Sequence, residues 1–82
     1  MTTTNPQVDV RVVIGEVMAV NPEDLADDSG PSTVPAWTSL KHLQLIVALE
    51  KSYGVALSGR DITGMRSVGA VRAALLAKGV QA

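Results

Sequence analysis

The sequence contains no cysteine and no phenylalanine, and its aromatic residues besides one histidine are Trp37 and Tyr53. The absence of cysteine excludes disulfide bonds, thiolate metal sites and cysteine nucleophiles. With His42 as the one histidine, the chain also lacks the ligand set of a typical zinc site. Because aromatic side chains are so scarce, the core must consist of Val, Leu, Ile, Ala and Met, which favours packed amphipathic helices over aromatic-rich strands.

The chain also lacks an excess of basic charge and long apolar runs. Seven Lys and Arg residues against eight Asp and Glu residues give a formal net charge of −1, which argues against binding to the phosphate backbone of nucleic acids. No apolar run approaches the length that spans a bilayer, and residues 1–7 do not resemble a targeting leader. We therefore expect a cytoplasmic protein without a membrane span.

The 82 residues are enough for one compact domain, which at this size buries roughly 60–65% of its unfolded surface and leaves little room for an enclosed catalytic cavity. We expect one domain over residues 1–82, with flexible ends at residues 1–5 and 80–82.

The N-terminal region combines a helical pattern with a strand pattern. Asn5 followed by Pro6 is typical of a helix start, and together with the apolar spacing it predicts a first helix over residues 6–19. The residues that carry the helical spacing are Val10, Val13, Ile14 and Val17. A strand remains the alternative, because valine alternates with polar residues at Val8, Val10 and Val12.

Residues 20–37 lose this periodicity and contain three prolines, a glycine and small polar residues, which predicts a long loop. Leu25, Val34 and Trp37 are spaced along it as anchors against the helices. The strongest helical pattern then covers residues 39–53 and ends at Gly54. A short helical segment follows at residues 58–65, and Ser67 caps a last helix that ends at residues 78–79.

These segments predict an all-α fold: a small four-helix bundle with three longer helices, one short helix and a long loop between helices one and two. The predicted core residues of the last three helices are Leu43, Ile46, Leu49, Tyr53, Ile62, Val68, Val71 and Leu75.

Residues 37–55 read WTSLKHLQLIVALEKSYGV. This segment resembles the acyl carrier proteins, a family of phosphopantetheine-binding carriers in which an Asp-Ser-Leu triplet, often preceded by Trp, opens the second helix. In that family an Ala-Leu-Glu run then leads to an aromatic residue and Gly. Here the Ser-Leu pair lies at residues 39–40, the Ala-Leu-Glu run at 48–50 and Tyr-Gly-Val at 53–55. The long preceding loop and the Ser-Val-Gly start of the last helix match the family as well.

The resemblance implies that Ser39 carries a 4′-phosphopantetheine arm, which a phosphopantetheinyl transferase moves from coenzyme A to the serine hydroxyl. The thiol of the arm would hold acyl groups as thioesters. The protein would then be a monomeric carrier, not an enzyme, and its partners would be the transferase and acyl-loading, acyl-transferring or condensing enzymes. A helix N-terminus favours an attached phosphate. In the alternative interpretation, Ser39 or Thr38 is simply an N-cap.

Two features depart from the family pattern. Thr38 stands where the triplet normally has Asp, so it can cap the helix but brings no carboxylate. The second helix is usually acidic in the family, whereas here Glu50 is its one acidic residue beside Lys41 and Lys51. Lys41 and His42 are candidate contacts for the phosphodiester of the arm; the alternative for Lys41 is a solvated surface lysine.

The resemblance also implies a partner-binding surface formed by Leu40, Val47 and Lys51, although core packing is an equal alternative for Val47. Two other functions compete with the carrier. One is a carrier-like helical interaction module that is not phosphopantetheinylated, with Thr38 as a sign of the lost arm. The other is a helix-turn-helix DNA binder over residues 60–77, against which the modest negative charge counts.

Overall fold

The computed structural model describes residues 9–81. Within them the chain forms four α-helices and no strand: α1 Val10–Met18, α2 Ser39–Tyr53, α3 Gly59–Gly64 and α4 Val68–Ala77. A 3-10 turn, Pro22–Asp24, lies in the long loop between α1 and α2. The predicted all-α bundle of three longer helices and one short helix is confirmed. Of the flexible ends predicted at residues 1–5 and 80–82, residues 1–5 and Ala82 lie outside the described residues, and Val80 packs half-buried against the core.

The first helix begins at Val10, because Asp9 is extended and acts as its N-cap. The Asp9 carboxylate accepts the backbone N–H of Arg11 at 2.9 Å. The predicted helix over residues 6–19 is therefore wrong at its start, since Asp9 is not helical; Asn5 and Pro6 themselves lie outside the described residues. Helical spacing prevails over the strand pattern, and the buried apolar residues of α1 are Val10, Val13, Ile14 and Met18.

One cluster of buried apolar side chains joins the helices and the loop. The cluster confirms most of the predicted core, with Tyr53 and Ile62 packed half-buried against it. Leu43 was predicted to be buried, and this is wrong, because its side chain is 59% exposed while Leu45 is fully buried. Apolar residues surround most of α2, so the 3.6-residue spacing alone allowed more than one buried face. Packing against α1, the helix with which α2 makes most of its contacts, selects the face that carries Leu45.

The loop between α1 and α2 lies against the helices, as predicted. Leu25 and Trp37 are buried, and Val34 is half-buried against the core. The backbone carbonyls of Asp27 and Ser29 accept the first two N–H groups of α4, both at 2.8 Å. These N–H groups have no partner within their own helix. The loop therefore completes the start of α4 and is held in place by it.

Candidate functional site

A cleft of about 430 Å³ opens between the end of the loop, the start of α2 and α3. Its volume lies within the range of sites that hold small molecules, roughly 300–1,000 Å³. The residues that line it include Trp37, Ser39, His42, Leu43, Thr63 and Arg66. Ser39 and His42, both predicted from the sequence as site residues, therefore share this cleft with Thr63 of α3 and with Arg66, which follows α3.

Ser39 is the first residue of α2 and is exposed at this cleft. The N-cap of α2 is Thr38, whose hydroxyl accepts the backbone N–H of Lys41 at 3.2 Å. The Thr38 carbonyl accepts the backbone N–H of His42 at 2.8 Å. Because Thr38 supplies the cap, the Ser39 hydroxyl is not needed for it, and it makes no hydrogen bond to another residue between 9 and 81. It is open to reaction with a second molecule.

His42 uses both of its ring nitrogens inside the protein. The indole N–H of Trp37 donates to Nδ1 at 3.0 Å, and Nε2 lies 2.9 Å from the backbone carbonyl oxygen of Ile62. An indole can only donate, so the pair of bonds fits a neutral imidazole that carries its proton on Nε2 and donates it to Ile62. His42 thereby ties the loop, α2 and α3 together. A phosphate contact by this side chain would require one of these bonds to break.

The outer face of α2 carries three exposed apolar side chains in a row. Leu40, Leu43 and Val47 are 63%, 59% and 58% exposed. Their spacing of three and four residues places them on one helical face, opposite the face of Leu45 and Leu49. The alternative of core packing for Val47 is therefore wrong. Sequence reasoning missed the exposure of Leu43, although its spacing from Leu40 and Val47 was the available signal.

The exposed charge of α2 is positive. Lys51 is exposed and follows Val47 by one turn, and Lys41 is partly exposed in the first turn. Glu50, the one acidic residue of α2, accepts the backbone N–H of Leu57 at 2.9 Å through its carboxylate. Lys41 does not line the cleft, so its contact with a phosphate remains a prediction from the sequence.

Arg66 and Thr63 line the cleft opposite the start of α2, and sequence reasoning did not connect either of them with Ser39. Arg66 is exposed and directly follows Met65, the C-cap of α3. No local signal links Arg66 to a serine so distant in the chain, since only the tertiary fold brings the two residues to one cleft.

Between residues 9 and 81, no group of three or more His, Cys, Asp and Glu side chains is placed to hold a metal ion. None of the described helices combines the length and apolar character needed to cross a membrane. No protein-family model matches the sequence, and no curated protein matches it at a significant level.

Proposed function

We propose that this protein is an acyl carrier protein, which holds acyl intermediates as thioesters on a 4′-phosphopantetheine arm attached to Ser39. The observation that carries the proposal is the exposed Ser39 hydroxyl at the first position of α2, within a segment that resembles the carrier motif. The protein serves partner enzymes in fatty-acid, polyketide or related specialised biosynthesis and is not itself an enzyme. We also propose that the protein is a monomer and is located in the cytoplasm.

The surroundings of Ser39 fit the attached group. A hydroxyl that is exposed and free of the capping hydrogen bond can attack the pantetheine-bearing phosphorus atom of coenzyme A. The O–H bond breaks and its proton passes to a base of the transferase, an O–P bond forms, and the pyrophosphate P–O bond breaks, so that the nucleotide part of coenzyme A leaves with the bridging oxygen. The resulting phosphodiester lies at the N-terminus of a 15-residue helix, where the unpaired N–H groups and the helix dipole favour negative charge. The arm supplies the reactive thiol; this chain supplies the attachment point and the surface around it.

The outer face of α2 supports a role in binding partner enzymes. Leu40, Leu43 and Val47 present an apolar row that the core does not use, with Lys51 at its end. Exposed apolar groups arranged together mark interaction sites more often than isolated ones do. This face adjoins Ser39, so a transferase or an acyl-loading or condensing enzyme bound to it would reach the arm.

The competing DNA-binding interpretation finds less support in the charges. Arg72 forms ion pairs with Asp27 at 2.6 Å and with Asp9 at 3.6 Å. The arginines of residues 60–77 therefore do not form one uncompensated basic surface of the kind that phosphate-backbone binding uses.

The direct test is intact-protein mass spectrometry after incubation with coenzyme A and a broad-specificity phosphopantetheinyl transferase. We expect a single phosphopantetheine adduct, absent from Ser39→Ala and retained in Ser52→Ala, which removes an exposed serine hydroxyl elsewhere on α2. If several transferases produce no adduct on the wild type or on Thr38→Asp, the interaction module without an arm replaces the carrier as the better explanation.

A further inference from the structure

Arg66 carries a positive charge that no described residue compensates. Its side chain is exposed and makes no hydrogen bond or ion pair within residues 9–81. It lines the same cleft as Ser39. A phosphate on Ser39 and the Arg66 guanidinium would therefore border the same cleft.

The other candidate cations near Ser39 are less suitable. Both ring nitrogens of His42 are engaged, by Trp37 and by the Ile62 carbonyl. Lys41 belongs to α2 but does not line the cleft. Among the described residues, Arg66 is thus the one cationic side chain of the cleft that is not already used.

The backbone of Arg66 is held by its neighbours. Met65 before it is fully buried, and the Arg66 N–H donates to the Gly64 carbonyl at 3.0 Å. The Arg66 carbonyl lies against Gly30 so closely that a Cβ there would overlap it. Binding a phosphate would therefore order the side chain alone, which keeps the entropic cost small.

We propose that Arg66 binds the phosphodiester of the arm on Ser39 and so holds the start of the arm at the mouth of the cleft; this inference rests on the proposed carrier function. A guanidinium presents paired N–H donors that match two phosphate oxygens. No existing ion pair of Arg66 has to break. Modification would then link the start of α2 to the connection between α3 and α4, and the modified protein would unfold at a higher temperature than the unmodified one.

The test compares Arg66→Gln with Arg60→Gln, an exposed arginine of α3 that does not line the cleft. Each protein is prepared with and without the arm, and mass spectrometry verifies the adduct. Melting temperatures and the ³¹P chemical shift of the phosphodiester are then measured. In the wild type and Arg60→Gln we expect the arm to raise the melting temperature, and salt to move the ³¹P resonance by screening the ion pair.

In Arg66→Gln we expect the rise in melting temperature to fall by at least half and the ³¹P resonance to lose its dependence on salt. Arg66→Lys should recover part of both effects, because a lysine keeps the charge without the paired donors. Wild-type behaviour in Arg66→Gln, or the same loss in Arg60→Gln, would overturn the assignment to Arg66 while the carrier function stands. Failure of every protein to gain an adduct would reject the carrier function and this inference together.

Discussion

Trp37 and His42 form the polar contact on which the candidate site depends most. Trp37 is only 3% exposed, and its indole N–H has His42 Nδ1 as its partner at 3.0 Å. The rings also stack, with centroids 6.2 Å apart. A buried donor that loses its acceptor destabilises the fold by its full desolvation free energy, because no hydrogen bond offsets it. The imidazole that lines the cleft is therefore a structural group, and its role is to hold the loop beside α2.

Replacing His42 by Leu should lower the free energy of unfolding by about 1–3 kcal/mol, since the Trp37 N–H is left buried without an acceptor. Urea unfolding followed by circular dichroism measures the loss. In a Trp37→Phe background the donor is already gone, so the same replacement should cost less. Equal losses in both backgrounds would show that the hydrogen bond between Trp37 and His42 contributes nothing.

The helix α2 has two opposite faces with different environments. Leu45 and Leu49 are fully buried, while Leu40, Leu43 and Val47 are more than half exposed. Two leucines only two residues apart, Leu43 and Leu45, therefore have opposite environments. Burial of a leucine side chain is worth roughly 1.5–3 kcal/mol, so Leu45 contributes to the stability of the core while Leu43 contributes little.

Leu43→Gln should change the free energy of unfolding by no more than about 0.5 kcal/mol, as is usual for surface substitutions. Leu45→Ala, the matched change on the buried face, should cost about 2–5 kcal/mol. Denaturant unfolding of both variants measures these two changes in the free energy of unfolding. If this face binds the transferase, the rate at which the arm is attached to Leu43→Gln should also fall. A stability loss in Leu43→Gln as large as that of Leu45→Ala would contradict the assignment of Leu43 to the exposed face.

The short helix α3 depends on its capping residues, since a helix of six residues is not stable by itself. Ser58 and Asp61 form a reciprocal capping box: the Ser58 hydroxyl accepts the Asp61 N–H at 3.1 Å and the Asp61 carboxylate accepts the Ser58 N–H at 2.9 Å. Lys78 pairs with the same carboxylate at 3.1 Å. The Ser58 backbone N–H and then the Lys78 ammonium hold the pKa of Asp61 below its ordinary value of 3.8.

Because the folded protein lowers this pKa, the ionised carboxylate stabilises the fold above pH 3.8, and the contribution is lost as the pH falls through the lower folded value. Asp61→Asn removes the titration but keeps an oxygen acceptor. The free energy of unfolding of the Asp61→Asn variant should therefore fall less than that of the wild type as the pH decreases below 3.8.

Denaturant unfolding at a series of pH values measures the difference between wild type and Asp61→Asn. Asp24→Asn is the control, because the Asp24 carboxylate makes no hydrogen bond or ion pair with another described residue. It should keep the wild-type dependence on pH. Identical curves for all three proteins would show that the capping carboxylate does not contribute to acid sensitivity.

For the whole molecule, the position of the cleft depends on a close approach between the long loop and the connection from α3 to α4. A Cβ on Gly30 would overlap the carbonyl oxygen of Arg66 and lie 3.3 Å from the Cα atom of Ser67. Both are backbone atoms, which cannot move aside as a flexible side chain can. The loop end that leads to Ser39 and the residue proposed to bind its phosphate are therefore positioned by one contact.

Gly30→Ala should lower the free energy of unfolding by about 1–3 kcal/mol, the usual cost of overpacking. Gly59→Ala provides the control, because a Cβ there would meet nothing within 4 Å, and it should be neutral or stabilising by up to about 1 kcal/mol. Thermal unfolding of both variants tests the contact. A neutral Gly30→Ala would mean that the loop and the connection can separate without loss.

Local sequence patterns predicted the helical elements and most of their ends, although not the start of α1 at Val10. Thr38 or Ser39 as a cap, Gly54 as a left-handed stop with φ of 65° and Ser67 as the cap of the last helix are all present where the sequence predicted them. These features depend on hydrogen bonds and backbone preferences within about one helical turn, so neighbouring residues are sufficient to predict them. The exposure of Ser39 at a helix start followed from the same local information.

Three features depend on tertiary packing: which face of α2 is buried, which atoms His42 contacts, and that Arg66 shares a cleft with Ser39. On a helix that is apolar around most of its surface, periodicity allows several buried faces, and the face that packs against its neighbours is set by their shape. The partners of His42 and the position of Arg66 depend on contacts between elements that are distant in the chain. Such contacts arise only when the helices pack together, so no local pattern of residues could specify them.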